Sequence, residues 1–120
     1  MRIAVTTQER DPEGEVDPRF GRAKYFLVID TDTNELQLVE NRQNLNLPQG
    51  AGIQAAQNLA GAKPDVVLTG NCGPKAFRTL QATGIKVVTG VSGRISEAVQ
   101  AYLDGKYQVA SQPNVEGHWT

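Results

Sequence analysis

The single cysteine of this chain, Cys72, stands in Thr69-Gly70-Asn71-Cys72-Gly73-Pro74, between an apolar run and a helix start. Pro is favoured at the first helical position, where its missing N–H would be unpaired anyway. Gly70 and Gly73 permit a left-handed backbone or close chain approach. Asn71 and Cys72 are therefore expected at a helix N-terminus, where free N–H groups and the positive dipole end favour anions and a thiolate. A second group is Pro18-Arg19-Phe20-Gly21-Arg22-Ala23. Arg19 and Arg22 offer planar forks of donors to an oxyanion or a negatively charged cluster. The bland alternative pairs Arg22 with an acid and lets Phe20 plug the core edge. Cys72 has its own alternatives: metal or sulfide-cluster ligand, nucleophile, or small buried apolar residue. One thiolate cannot hold an ordinary iron–sulfur cluster, which takes about four. A cluster here is held largely by shape, hydrogen bonds and charge, or is shared between subunits.

Two pattern matches fail on geometry. Cys72 to Arg78 has the spacing of a cysteine phosphatase loop, yet Pro74 supplies no N–H to the phosphate and Arg78 lies a turn along the helix. Gly50-Ala51-Gly52-Ile53-Gln54-Ala55 satisfies a dinucleotide fingerprint, but a loop of about nine residues separates it from the preceding strand. The next strand ends in Thr69-Gly70, without the acid that fingerprint needs. These glycines fit a close approach of backbone to a ligand or a neighbouring loop. His118 is a stray terminal histidine without companion ligands. Asp30, Asp32 and Glu35 read as solvated charge at a hairpin turn, and no two-metal carboxylate set assembles from them.

The whole composition narrows the classes. Net charge −1 shows no basic excess for nucleic-acid binding. No apolar run approaches the roughly 20 residues that cross a bilayer. The chain begins in a strand without a signal-peptide apolar region, and a lone cysteine forms no intrachain disulfide, so a reducing cytoplasm is the expected location.

The elements that must position these residues follow from apolar spacing. Strands are expected at 2–6, 25–30, 35–40, 65–69 and 85–88. Residues 7–23 form a long loop, of a length that is often functional. Helices are expected from Gly50-Ala51-Gly52 to Gly61, from Pro74 to Gly84, and over Ile95, Ala98, Val99, Tyr102 and Leu103, closed by Gly105. The tail from Lys106 lacks periodicity and is expected to be partly mobile. A hairpin followed by right-handed crossovers implies an α/β fold. Its five-stranded mixed sheet has order 3-2-1-4-5, with strand 2 antiparallel and three helices on its faces, a ribonuclease H-like architecture. The loops after strands 1, 3, 4 and 5 then meet at one carboxyl edge, where open α/β sheets bind ligands.

Asp17-Pro18-Arg19-Phe20-Gly21-Arg22-Ala23, Gly50-Ala51-Gly52 before an Ala-rich helix, Thr69 to Ala76, and the Ser96 to Gly105 helix together resemble the dinitrogenase iron–molybdenum cofactor biosynthesis family. The resemblance covers residues 1–105, leaving 106–120 as a tail. It implies a ribonuclease H-like fold and non-catalytic binding or carriage of the iron–molybdenum cofactor or its iron–sulfur precursor. A relative of the family carries a molybdenum–copper sulfide cluster, so that cargo is implied too. The matching positions are Phe20, Gly21, Arg22, Gly50, Gly52, Asn71, Gly73 and Pro74. Some relatives have a histidine where this chain has Arg19, and others have histidines where it reads Asn44 to Gln49. With those imidazoles absent, Cys72 is left as the main ligand candidate.

The expectation is therefore a cytoplasmic, non-enzymatic carrier. It binds an anionic metal–sulfur cluster through Arg19, Phe20, Gly21, Arg22, Gly50, Gly52, Asn71, Cys72 and Gly73, and hands it on. Its partners are the cluster and a donor or acceptor protein, with neither nucleic acid nor membrane. A metal-free interaction or regulatory module is the alternative, and a phosphatase-like enzyme comes third.

Overall fold

Alternation of side chains along each strand sorts the apolar residues into two cores. The computed structural model describes residues 1–43, 46 and 50–115. Its elements in order are β1 (Arg2–Thr7), β2 (Tyr25–Asp30), β3 (Leu36–Glu40), α1 (Ala51–Ala60), β4 (Val66–Leu68), α2 (Pro74–Ala82), β5 (Lys86–Val88) and α3 (Ile95–Leu103). Ala4, Phe26, Val28, Val67 and Val87 face one way and meet Ala55, Ala56 and Leu59 of α1 with Ala76, Phe77 and Leu80 of α2. Ile3, Val5, Leu27, Val66, Leu68 and Val88 face the other way and meet Ile95, Ala98 and Val99 of α3. Two helices thus cover one face of the sheet and one covers the other. Full burial of each large aliphatic is worth about 1.5–3 kcal/mol.

The sheet has order β3-β2-β1-β4-β5. β2 is antiparallel to β1 and β3, while β4 is parallel to β1 and β5. This is the expected mixed topology. β4 lies between two strands and two helix layers, and its three residues are all buried, as an uninterrupted apolar run requires. The strand ends differ slightly from expectation: β1 reaches Thr7, β3 begins at Leu36, β4 spans 66–68 and β5 begins at Lys86. Asp65 and Thr69 still donate ladder-like bonds to Arg2 O (2.8 Å) and Val88 O (3.0 Å). Gly84 and Gly105 close α2 and α3 with φ of +80° each, the left-handed step that ends many helices.

The tail has no helix or strand among the described residues, yet it is tied to the sheet. Ala110 N–H donates to Val87 O at 2.7 Å, so the chain runs back along the outer edge of β5. His118 lies outside the described residues, as does all of the Asn44–Gln49 loop except Asn46. No helix is long and apolar enough to cross a membrane among the described residues.

Candidate functional site

Polar side chains at the ends of β1 and β4 hold the long loop 8–24 in place. Thr6 Oγ1 donates to Asp17 O (2.8 Å) and its oxygen can accept from Thr69 Oγ1 (3.0 Å), both within the protein interior. Thr7 Oγ1 donates to Glu15 O at 2.9 Å. Asp17, only 5% exposed, accepts the Arg19 N–H at 2.8 Å and a bond from Gln8 Nε2. Those bonds shape the turn at Pro18, and the next residues run beside the turn after β4. Asn71 N–H donates to Pro18 O at 2.7 Å, its Nδ2 donates to the same oxygen at 3.0 Å, and Phe20 N–H donates to Asn71 O at 3.1 Å. A parallel bridge between Arg19 and Asn71 joins the two segments, from loops expected to meet at one edge of the sheet.

Gly70 is what permits this approach. A Cβ there would lie 2.7 Å from both the Cα and the O of Pro18, which are backbone atoms with no freedom to yield. Gly73 differs from the sequence expectation: its φ of −80° is ordinary extended backbone, and it serves as the N-cap of α2.

The predicted residues divide into anchors and exposed groups. Phe20 is fully buried with its ring centroid 5.5 Å from that of Phe26, so it ties the loop to the core. Gly21 is buried, and its carbonyl and that of Ala23 accept bonds from Asn41 Nδ2 at 3.4 and 2.7 Å. Arg19 and Arg22 are exposed, and neither enters an ion pair among the described residues. The expected alternative of an acid-paired Arg22 is thus absent there. Gly50 and Gly52 sit at the start of α1, which packs on α2. Gly50 faces open space, with nothing within 4 Å of where a Cβ would stand. Both helices begin at glycine N-caps with no side-chain cap and no acid in the first turn, which leaves their dipole ends uncompensated by protein.

Cys72 departs from the expectation that a helix N-terminus makes a thiolate. Its side chain is fully buried in the core under α1 and α2, and burial pushes the thiol up to about 12. Desolvation of the charged form outweighs the helix dipole at this depth. No group of three or more His, Cys, Asp or Glu assembles into a metal site among the described residues. Arg78 is exposed along α2, away from a thiol that is neither charged nor accessible.

The structure adds basic residues that sequence spacing did not single out. Arg10 reaches across to Tyr25, donating from Nε and Nη2 to its hydroxyl at 3.1 and 2.9 Å, with the guanidinium 5.3 Å from the ring centroid. Lys24 Nζ lies 5.6 Å from the same ring. Lys24, Tyr25, Glu40, Asn41 and Arg42 line a cavity of about 250 Å³ beside the Arg22 loop. By contrast Glu13 pairs with Arg94 at 3.4 Å, and Glu15 bridges to Arg94, at the start of α3. Glu13 and Glu15 thus meet the start of α3, while Arg10 and Lys24 gather at Tyr25, which pairs with Thr7 and lies on the same face of the sheet as Leu27.

Comparison with known proteins agrees with this geometry. The profile of the family described as dinitrogenase iron–molybdenum cofactor matches residues 1–105. The apo form of the orange protein from Desulfovibrio gigas is 49% identical, with TM-score 0.89 over 95% of this chain and 96% of that one. A candidate NifB protein from Thermotoga is 30% identical, with TM-score 0.81 over 97% and 98% of the two chains. A Methanocaldococcus jannaschii protein is 27% identical over 96 residues, covering 78% of this chain and 80% of the relative.

Proposed function

This chain belongs to the dinitrogenase iron–molybdenum cofactor family, and on that premise we propose that it carries an anionic metal–sulfur cluster. The cargo class is the iron–molybdenum cofactor, its iron–sulfur precursor or a related molybdenum-containing sulfide. The protein binds it reversibly at the carboxyl edge of the sheet and passes it to an acceptor protein without chemistry of its own. One observation carries this reading. The bridge between Arg19 and Asn71 holds Arg19 and Arg22, both without an acidic partner among the described residues, beside the turn that leads into an uncapped helix.

The donor set fits capture by charge better than a coordination cage. Guanidinium groups and helix N-terminal N–H groups recognise negative charge spread over a cluster surface. With a single buried and protonated sulfur, the first contact is electrostatic. Ligation by Cys72 follows only when its loop opens and the thiol loses its proton. Such a holder releases its cargo readily, as transfer demands.

Anaerobic reconstitution with iron, sulfide and molybdate, followed by gel filtration and metal analysis, tests the reading. Retained metal with a charge-transfer absorption band is expected. Retention no greater than that of an unrelated protein of similar charge rejects it.

A further inference from the structure

The described part of the tail returns to the candidate site. Tyr107 packs on the α3-side core and Ala110 on the α1–α2-side core, each only partly buried. Ala110 bonds Val87 O, while Val109 stays 46% exposed. Asn114 then reaches the turn after β4. Its Oδ1 accepts the Cys72 N–H at 2.8 Å, and its own N–H donates to Cys72 O at 3.3 Å. Its Nδ2 donates to Gly70 O and Asn71 Oδ1, both at 3.2 Å. Residue 114 lies outside the family-matched segment, yet it engages both backbone groups of Cys72.

A neutral side-chain oxygen therefore occupies the acceptor position at an N–H that leads into the start of α2. An anion arriving there competes for that same N–H. An ionised acceptor forms a bond roughly twice as strong as a neutral one. The tail bonds are each worth about 0.5–1.5 kcal/mol, and segments with few buried contacts open independently of the core.

We propose that residues 108–115 are a displaceable latch, in which Asn114 holds the Cys72 N–H of the empty protein and an anionic ligand releases the segment by taking that N–H. The identity of the ligand rests on the carrier reading above; the latch itself does not.

Native-state hydrogen exchange on the full chain tests it, comparing the amides of Cys72, Ala110 and Val67 in the centre of β4. In the wild type, Cys72 and Ala110 are expected to exchange through one opening that low denaturant does not accelerate, while Val67 exchanges only through global unfolding. Ala110→Pro deletes a donor at a residue not hydrogen-bonded to the Cys72 turn. It should raise Cys72 exchange about fivefold, as loss of one such bond implies, and leave the Cys72-to-Val67 contrast intact. Asn114→Ala should do the same to Ala110. Cys72 exchange that ignores Ala110→Pro, or rises only in step with Val67, overturns the latch. In protein loaded with iron, sulfide and molybdate, Ala110 exchange should accelerate; metal retained with Ala110 unchanged overturns the latch but not the carrier. A chain that retains no metal while the two amides still open together removes the carrier reading and supports the latch.

Discussion

Among single residues, exposure separates those that hold the fold from those free to hold cargo. Arg22 is exposed and makes no ion pair among the described residues, so Arg22→Ala should leave the melting temperature nearly unchanged. Loss of a charge-assisted bond, about 1.5–3 kcal/mol, should weaken cluster retention roughly tenfold or more, read by metal content after gel filtration. A collapsed fold instead would assign Arg22 a structural task. Cys72 yields a pH prediction. Its thiol titrates near 9.0 when unfolded and at about 12 when buried, so between those values the native state holds the extra proton. The stabilisation is fully present below pH 9 and is lost as pH rises toward 12, with a slope of up to about 1.4 kcal/mol per unit. Urea melts at pH 8 to 10.5 should show the decline, and Cys72→Ala should flatten it. The cysteine's position at a helix start was visible in the sequence. Its burial was one of three readings the sequence left open, and the choice among them depends on α1 and α2 closing over it from distant parts of the chain.

At the level of elements, the strands and helices were largely legible because their apolar periods are short-range signals. β4 read as a buried strand from three consecutive apolar residues, and Pro74 marked the start of α2. What could not be read was how loops are tied. Asp17, Thr6 and Thr69 form a buried polar set whose members lie up to 63 residues apart, with exposed Gln8 bonded to Asp17. The tail of residues 106–115 has no period of its own and takes its path from hydrogen bonds to β5 and Cys72. Gly70 was singled out as a place of close approach, and the approaching chain proves to be Pro18. Gly70→Ala should cost about 1–3 kcal/mol, the usual range for overpacking, seen as a lowered denaturation midpoint. It should also separate Arg19 from Asn71 and reduce cluster retention. A stable variant with unchanged retention would mean the loops can spread without consequence.

For the molecule as a whole, net charge of −1 hides an uneven surface. Arg19 and Arg22 stand exposed and without ion pairs among the described residues, whereas Glu13 pairs with Arg94 at the start of α3. If those two cations steer the cargo, retention should fall as salt rises from about 0.1 M to 1 M, where the screening length drops from about 10 Å to 3 Å. Measured on the same reconstituted protein, salt-independent retention would point to coordination by Cys72 rather than charge. The two ends of the sheet also differ. At the β5 end, Val87 O is already taken by Ala110, whereas among the described residues β3 has no strand on its outer side and exposes Leu36 and Leu38. An added strand therefore finds the outward-facing amides and carbonyls of alternate β3 residues. Were two copies to join through those ends, the resulting ten-stranded assembly would be two-fold and self-limiting, with no second sticky end from which a fibre could grow.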